Sequence, residues 1–131
     1  LPQPAALGFF SGTADFGATG DSVSLFANPA ALAAVTSAYL GGTDPATPGL
    51  SPARGDLKGW PATLCVASTR DFLLSATAGF CRKLDAAGVD ARLVVFDGLP
   101  HAFWAYIDAP ESDEAMAAMA RFLSARLEGR K

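Results

Sequence analysis

Asp71 and His101 are the two side chains in this sequence best suited to act together chemically. A carboxylate that accepts the Nδ1 proton of an imidazole fixes its tautomer and steadies the imidazolium formed when the other nitrogen takes a proton. That is the acid-and-base half of a nucleophilic triad. Each residue also has a plainer reading. Asp71 stands directly before a helical pattern, where most Asp residues are simple N-caps. His101 follows Leu99-Pro100 and precedes Phe103 and Trp104, so it also reads as a surface histidine in a loop that Phe103, Trp104 and Tyr106 pack onto the body of the protein. A triad further needs a serine on a sharp strand-to-helix turn of the form G-x-S-x-G. Gly20-Asp21-Ser22-Val23-Ser24 begins like that turn, but it lacks the closing glycine and no strand precedes it. Gly8-Phe9-Phe10-Ser11-Gly12 has its serine out of register. No nucleophile is therefore assigned within the chain.

The elements around these residues explain why Asp71 and His101 are expected to meet. Three short apolar runs, Ala5 to Phe10, Thr63 to Ala67 and Arg92 to Phe96, are continuous rather than alternating, as in strands covered on both faces of a parallel sheet. Helical patterns lie between and after them. The first opens at Asn28-Pro29, carries Leu32, Val35 and Tyr39 on one face and stops at Gly41-Gly42. The second runs from about Phe72 to Ala87, with Leu73, Thr77, Phe80 and Leu84 at helical spacing. The third runs from about Glu111 to Leu127, with Met116, Met119, Leu123 and Leu127 on one stripe, an acidic first turn and a basic last one. Strands alternating with helices predict an α/β, three-layer fold: a parallel sheet of about three strands with flanking helices. Residues 1–131 read as a single domain, with 41–61, rich in Gly and Pro, as an irregular surface excursion. In such sheets chemistry collects at the carboxyl ends of the strands. The second strand ends at Ser68-Thr69-Arg70-Asp71 and the third at Asp97-Gly98-Leu99-Pro100-His101. Neighbouring strands lie about 4.8 Å apart, so the two loops emerge side by side.

Composition narrows the class. Half of the 131 residues are apolar, enough for a buried core and too many for a disordered chain. With 10 Lys and Arg against 13 Asp and Glu, scattered apart from a small cluster at Arg126, Arg130 and Lys131, nucleic acid is not an expected partner. No run reaches the roughly 18 continuous apolar residues needed for a membrane span. Cys65 and Cys81 read as buried free thiols, and one histidine with two cysteines does not make a zinc site. Leu1-Pro2-Gln3-Pro4 does not read as a signal peptide. Without an initiator Met, the chain is expected to be a processed or trimmed segment of a cytoplasmic protein.

The stretch WPATLCVASTRDFLLSATAGFCRKLDAAGVDARLVVFDGLPHAFW resembles the C-terminal part of the α/β-hydrolase superfamily, in its hormone-sensitive-lipase-like esterase branch. That branch has a strand, an Asp followed by apolar residues, a helix ending in AAGV, a further strand and a G-x-x-H-x-F loop. ADFGATGDS (Ala14 to Ser22), YLGG (Tyr39 to Gly42) and SPARGDLKGWP (Ser51 to Pro61) also resemble it, so the likeness covers almost the whole chain. It implies Asp71 as triad acid and His101 as triad base of a carboxylic-ester hydrolase or lipase-like enzyme. The serine and the Gly-rich oxyanion loop would then lie outside this chain, and the stretch around Ser22 corresponds to the loop after the family's sixth strand. No cofactor or metal is implied, and a small acyl ester would be a substrate only with the N-terminal half. The alternative is a non-catalytic module acting through self-association or a partner chain. On its own the chain is expected to be a homo-oligomer, through pairing at the edge Ala5 to Phe10, which in the complete fold would have a neighbouring strand, or through apolar helix faces.

Overall fold

The computed structural model describes residues 3–128; Arg130 and Lys131 of the basic cluster, and Leu1 and Pro2, lie outside them. The apolar runs form β1 (Leu7–Phe10), β2 (Thr63–Arg70) and β3 (Ala91–Pro100), and the helices are α1 (Ser22–Phe26), α2 (Pro29–Leu40), α3 (Leu74–Ala86) and α4 (Pro110–Glu128). Among the described residues the sheet is parallel throughout, in the order β1-β2-β3. The strands therefore present their carboxyl ends along one edge. No helix among the described residues is long and apolar enough to cross a membrane.

Two apolar clusters make the layers. On one face Phe9 packs with Phe80 and Leu84 of α3. On the other, Phe10, Leu64, Val66 and Phe96 pack with Ala115 and Met119 of α4 and with Phe103. That neighbours Phe9 and Phe10 enter opposite clusters is the two-residue period of a strand covered from both sides.

Only the central strand meets the expectation of full cover. Residues 63–68 of β2 are all buried, whereas Leu93 and Val95 of β3 are exposed. A three-stranded sheet has a single interior strand, so an apolar run on either edge keeps part of its surface open.

Helix boundaries follow local chemistry closely. The Asn28 side chain accepts the Ala30 and Ala31 N–H groups at 3.0 and 3.2 Å, Pro29 opens α2, and Gly41 at φ 56° closes it. The expected buried face of α2 is not found. No residue of that helix is buried, and Val35 and Tyr39 are 67% and 68% exposed; Tyr39 meets Phe16 of the loop after β1. On α4 the core-facing residues are Ser112, Ala115 and Met119, with Phe122 packed beside them. Met116 and Leu127, expected on the stripe, are exposed. Met116 follows Ala115 by one residue and so points about 100° away from the core.

Residues 41–61 are irregular, with a short 3-10 turn at Pro52–Arg54, but they are not merely superficial. Ala53 and Leu57 enter the α3-side core, and Arg54 Nε bonds both Asp15 carboxylate oxygens at 2.9 and 3.0 Å.

Candidate active site

The carboxyl ends of the three strands carry Ser11, Asp71 and His101, and the structure brings all three together. His101 Nδ1 lies 2.8 Å from Asp71 Oδ1. The same Oδ1 accepts the Leu73 N–H at 2.8 Å, so Asp71 fixes the turn that leads into α3 and binds the histidine at once; the N-cap position of the helix itself is Leu73, which has no side-chain cap. Its other oxygen, Oδ2, accepts the Ser11 hydroxyl. The expectation of a simple N-cap at Asp71 is therefore corrected: the side chain orders the turn before α3, and a carboxylate with about four lone-pair positions can do this while it also binds the imidazole and a hydroxyl.

Asp71 is 0% exposed. Burial by itself pushes its carboxyl up; the bonds from His101, Ser11 and the Leu73 N–H outweigh that and hold it below the ordinary carboxylate value. An ionised carboxylate can only accept, so Nδ1 of His101 carries the proton and Nε2 is the nitrogen left to exchange one with a reacting group. A depressed carboxyl contributes stability that is present in full above its unfolded-state value, about 3.9, and is lost as pH falls through the folded value. We therefore expect the parent chain to lose stability on acidification below about pH 4. Asp71→Asn, less stable at neutral pH, should lose less over the same interval; urea midpoints at neutral and acid pH check this.

The histidine loop is pinned from several sides. The Ser68 hydroxyl donates to the carbonyl of Leu99 and lies 3.2 Å from that of Pro100. Thr69 Oγ1 bonds Asp97 Oδ1 at 2.9 Å and accepts the Gly98 N–H at 2.7 Å. The strand runs to Pro100 rather than ending at Phe96, with a shift of register opposite Ser68 and Arg70. Gly98, at φ 73°, adopts the left-handed backbone there. Tyr106, expected to pack the loop onto the sheet, is instead 63% exposed and donates its hydroxyl to the His101 carbonyl at 2.7 Å. Phe72 stacks on the imidazole with ring centroids 4.3 Å apart, and the His101 side chain remains 33% exposed. Phe72 also borders an apolar cleft of about 310 Å³, lined by Phe16, Leu32, Val35, Tyr39 and Leu73.

The serine decoys are accounted for by their bonds. Ser22 is buried at the start of α1; its hydroxyl donates to the Phe72 carbonyl at 2.9 Å and accepts the Ser75 N–H at 3.0 Å. It buttresses the loop carrying Asp71. Ser11 binds the acid, not the imidazole, so neither serine stands where a histidine would activate it. Sequence reading missed the roles of Ser11, Ser22 and Ser68, whose partners are 60, 50 and 31 residues distant. Among the described residues no group of three or more His, Cys, Asp and Glu side chains is placed to hold a metal ion.

Residues 1–105 match a family model described as alpha/beta hydrolase fold. None of the curated proteins compared matches the chain. Among solved structures, esterase E25 is 38% identical, with a TM-score of 0.81 over 92% of this chain and 39% of its own. An esterase from the bacterial hormone-sensitive lipase family is 34% identical, with a TM-score of 0.87 over 95% of this chain and 44% of its own. EstE5, in a crystal soaked with p-nitrophenyl butyrate, is 29% identical, with a TM-score of 0.88 over 96% of this chain and 45% of its own. The chain therefore spans less than half the length of each of these structures.

Proposed function

Because this chain belongs to the α/β-hydrolase family and matches the C-terminal part of hormone-sensitive-lipase-like esterases, we propose that it supplies the acid and the base of a carboxylic-ester hydrolase whose serine lies outside these residues. The observation that carries this reading is the 2.8 Å contact between His101 Nδ1 and the buried carboxylate of Asp71. In the proposed reaction a serine hydroxyl from a G-x-S-x-G turn attacks the acyl carbon of a small ester. His101 takes the serine proton at Nε2 and gives it to the leaving alcohol, which leaves the acyl group on the serine. Water then attacks that ester, passing a proton to Nε2, and the carboxylic acid departs as His101 returns the proton to the serine oxygen. Asp71 keeps Nδ1 protonated and offsets the positive charge on the ring between those events. The apolar cleft beside Phe72 is of a size to accept part of such a substrate. No cofactor or metal enters the scheme. A cytoplasmic location completes the proposal, and the 131-residue chain taken alone is expected to form homo-oligomers through edge-strand pairing or apolar helix faces.

The test uses p-nitrophenyl butyrate. The 131-residue chain alone is expected to hydrolyse it no faster than its His101→Ala variant, and hydrolysis should appear when the chain is joined to an N-terminal half carrying the serine turn. A burst of product from the chain alone, abolished by Ser22→Ala, would overturn the assignment. Silence from the joined protein would favour the second reading, a non-catalytic module. The observation behind that reading is the exposed apolar surface of Val35 and Tyr39 on α2 and of Leu93 and Val95 on the β3 edge.

A further inference from the structure

We propose that Ser11 is a positioning residue for the Asp71–His101 pair, sharing the charge of the buried carboxylate and fixing which of its oxygens faces the imidazole. The inference rests on the acid–base reading of that pair. Ser11 donates to Oδ2 while His101 and the Leu73 N–H occupy Oδ1. Without a bond at Oδ2 the carboxylate could turn about its Cβ–Cγ bond; with one, Oδ1 stays aimed at Nδ1. The Ser11 oxygen is also approached by the Ala102 N–H at 3.4 Å. One hydroxyl thus joins the ends of all three strands.

The backbone gives independent support. Among the described residues, the non-glycine positions with positive φ are Ser11, at 47°, and Ala102, at 51°. They are the two residues that meet at this hydroxyl. Glycine would adopt either conformation without strain, so a serine at position 11 is held there at a conformational cost that its side chain must offset. Its position is clamped on both sides. The Ser11 N–H bonds the Val66 carbonyl at 2.8 Å, and Thr77 Oγ1 accepts the Gly12 N–H at 3.1 Å while donating to the Gly12 carbonyl at 3.0 Å. The hydroxyl is consequently delivered to Asp71 by a rigid turn rather than by a mobile loop.

His101 is the sole histidine of the chain, so its imidazole can be titrated by NMR in the full 131 residues without ambiguity. Ser11→Gly removes the hydroxyl and suits the backbone; Ser11→Ala removes it and keeps the strain. In both, the undivided charge of Asp71 should hold the imidazolium more tightly and raise the His101 midpoint by about one pH unit. Nearby charges at Asp21, Arg70 and Asp97 are exposed and common to all variants, so they act equally on each. A purely structural role would lower the melting temperature and leave the midpoint in place. An unchanged midpoint overturns the proposal. So does a fall to the value of Asp71→Asn, since the pair would then simply have come apart with its loop. If Ser11→Ala does not fold, Ser11→Gly carries the test. Asp71→Asn, run alongside, is expected to lower the midpoint. If it does not, the pair itself fails and the role of Ser11 falls with it. If it does while Ser11→Gly changes nothing, only the role of Ser11 falls.

Discussion

Asp71→Asn is expected to lower kcat for ester hydrolysis about 10⁴-fold, with little change in KM, in a protein that joins this chain to the nucleophile-bearing half. Asn keeps the shape of the side chain and can still accept the Leu73 N–H, which bonds Oδ1 at 2.8 Å. It loses the negative charge that offsets an imidazolium at His101, and its amide can present an N–H to Nδ1, which stabilises the wrong tautomer. A 10⁴-fold loss corresponds to about 5.4 kcal/mol of transition-state stabilisation. The Asp71 side chain is fully buried and offers no surface to a substrate, so binding should be nearly unaffected. Steady-state kinetics on p-nitrophenyl butyrate separates the two parameters. A loss of less than tenfold, or one confined to KM, would remove Asp71 from the mechanism.

The largest effect on stability is expected at Phe103. This ring is 0% exposed and sits beneath the histidine loop, 5.2 Å from the ring of Phe96 and 5.1 Å from that of Trp104. It belongs to the cluster that joins β2 and β3 to α4 through Leu64, Val66, Ala115 and Met119. Phe103→Ala removes a buried aromatic side chain and leaves a cavity between the sheet and the helix, at a cost of about 3–5 kcal/mol. That is a large share of the roughly 5–15 kcal/mol by which a domain is usually stable. Urea denaturation followed by circular dichroism should show a markedly lower midpoint. A shift below about 1 kcal/mol would mean that the loop rearranges to fill the space. Because Phe103 lies two residues after His101, the variant should also loosen the imidazole, visible as a broadened His101 resonance.

The difference between what could and could not be read in advance follows the range of the interactions. Alternation of apolar runs with helical spacing implies a parallel α/β layering, because right-handed crossovers leave few other arrangements. Asn28, Pro29 and Gly41 mark the ends of α2 through bonds to residues a few positions away, so they were legible from the chain alone. The placement of Asp71 and His101 at the carboxyl ends of two runs was legible for a similar reason: parallel neighbours put those ends on one edge.

Burial was less accessible. Which apolar faces are covered depends on how many strands and helices stand alongside, and α2 and β3 keep apolar side chains exposed that a local pattern would place inside. The finer structure of the site lay further out of reach. Ser11 reaches Asp71 across 60 residues, Ser22 reaches Phe72 across 50, and Ser68 reaches Leu99 across 31. Sequence by itself determined the three strands, the helices α2, α3 and α4, their order, and the position of Asp71 and His101 just beyond two of the apolar runs, since those depend on backbone preference and near neighbours; the short α1 was not legible. The tertiary structure alone decided that β2 is the central strand, that one carboxylate holds the turn before α3 and the imidazole together, and that a serine closes its other side. These depend on sheet order and register, which bring distant polar groups within about 3 Å of one another.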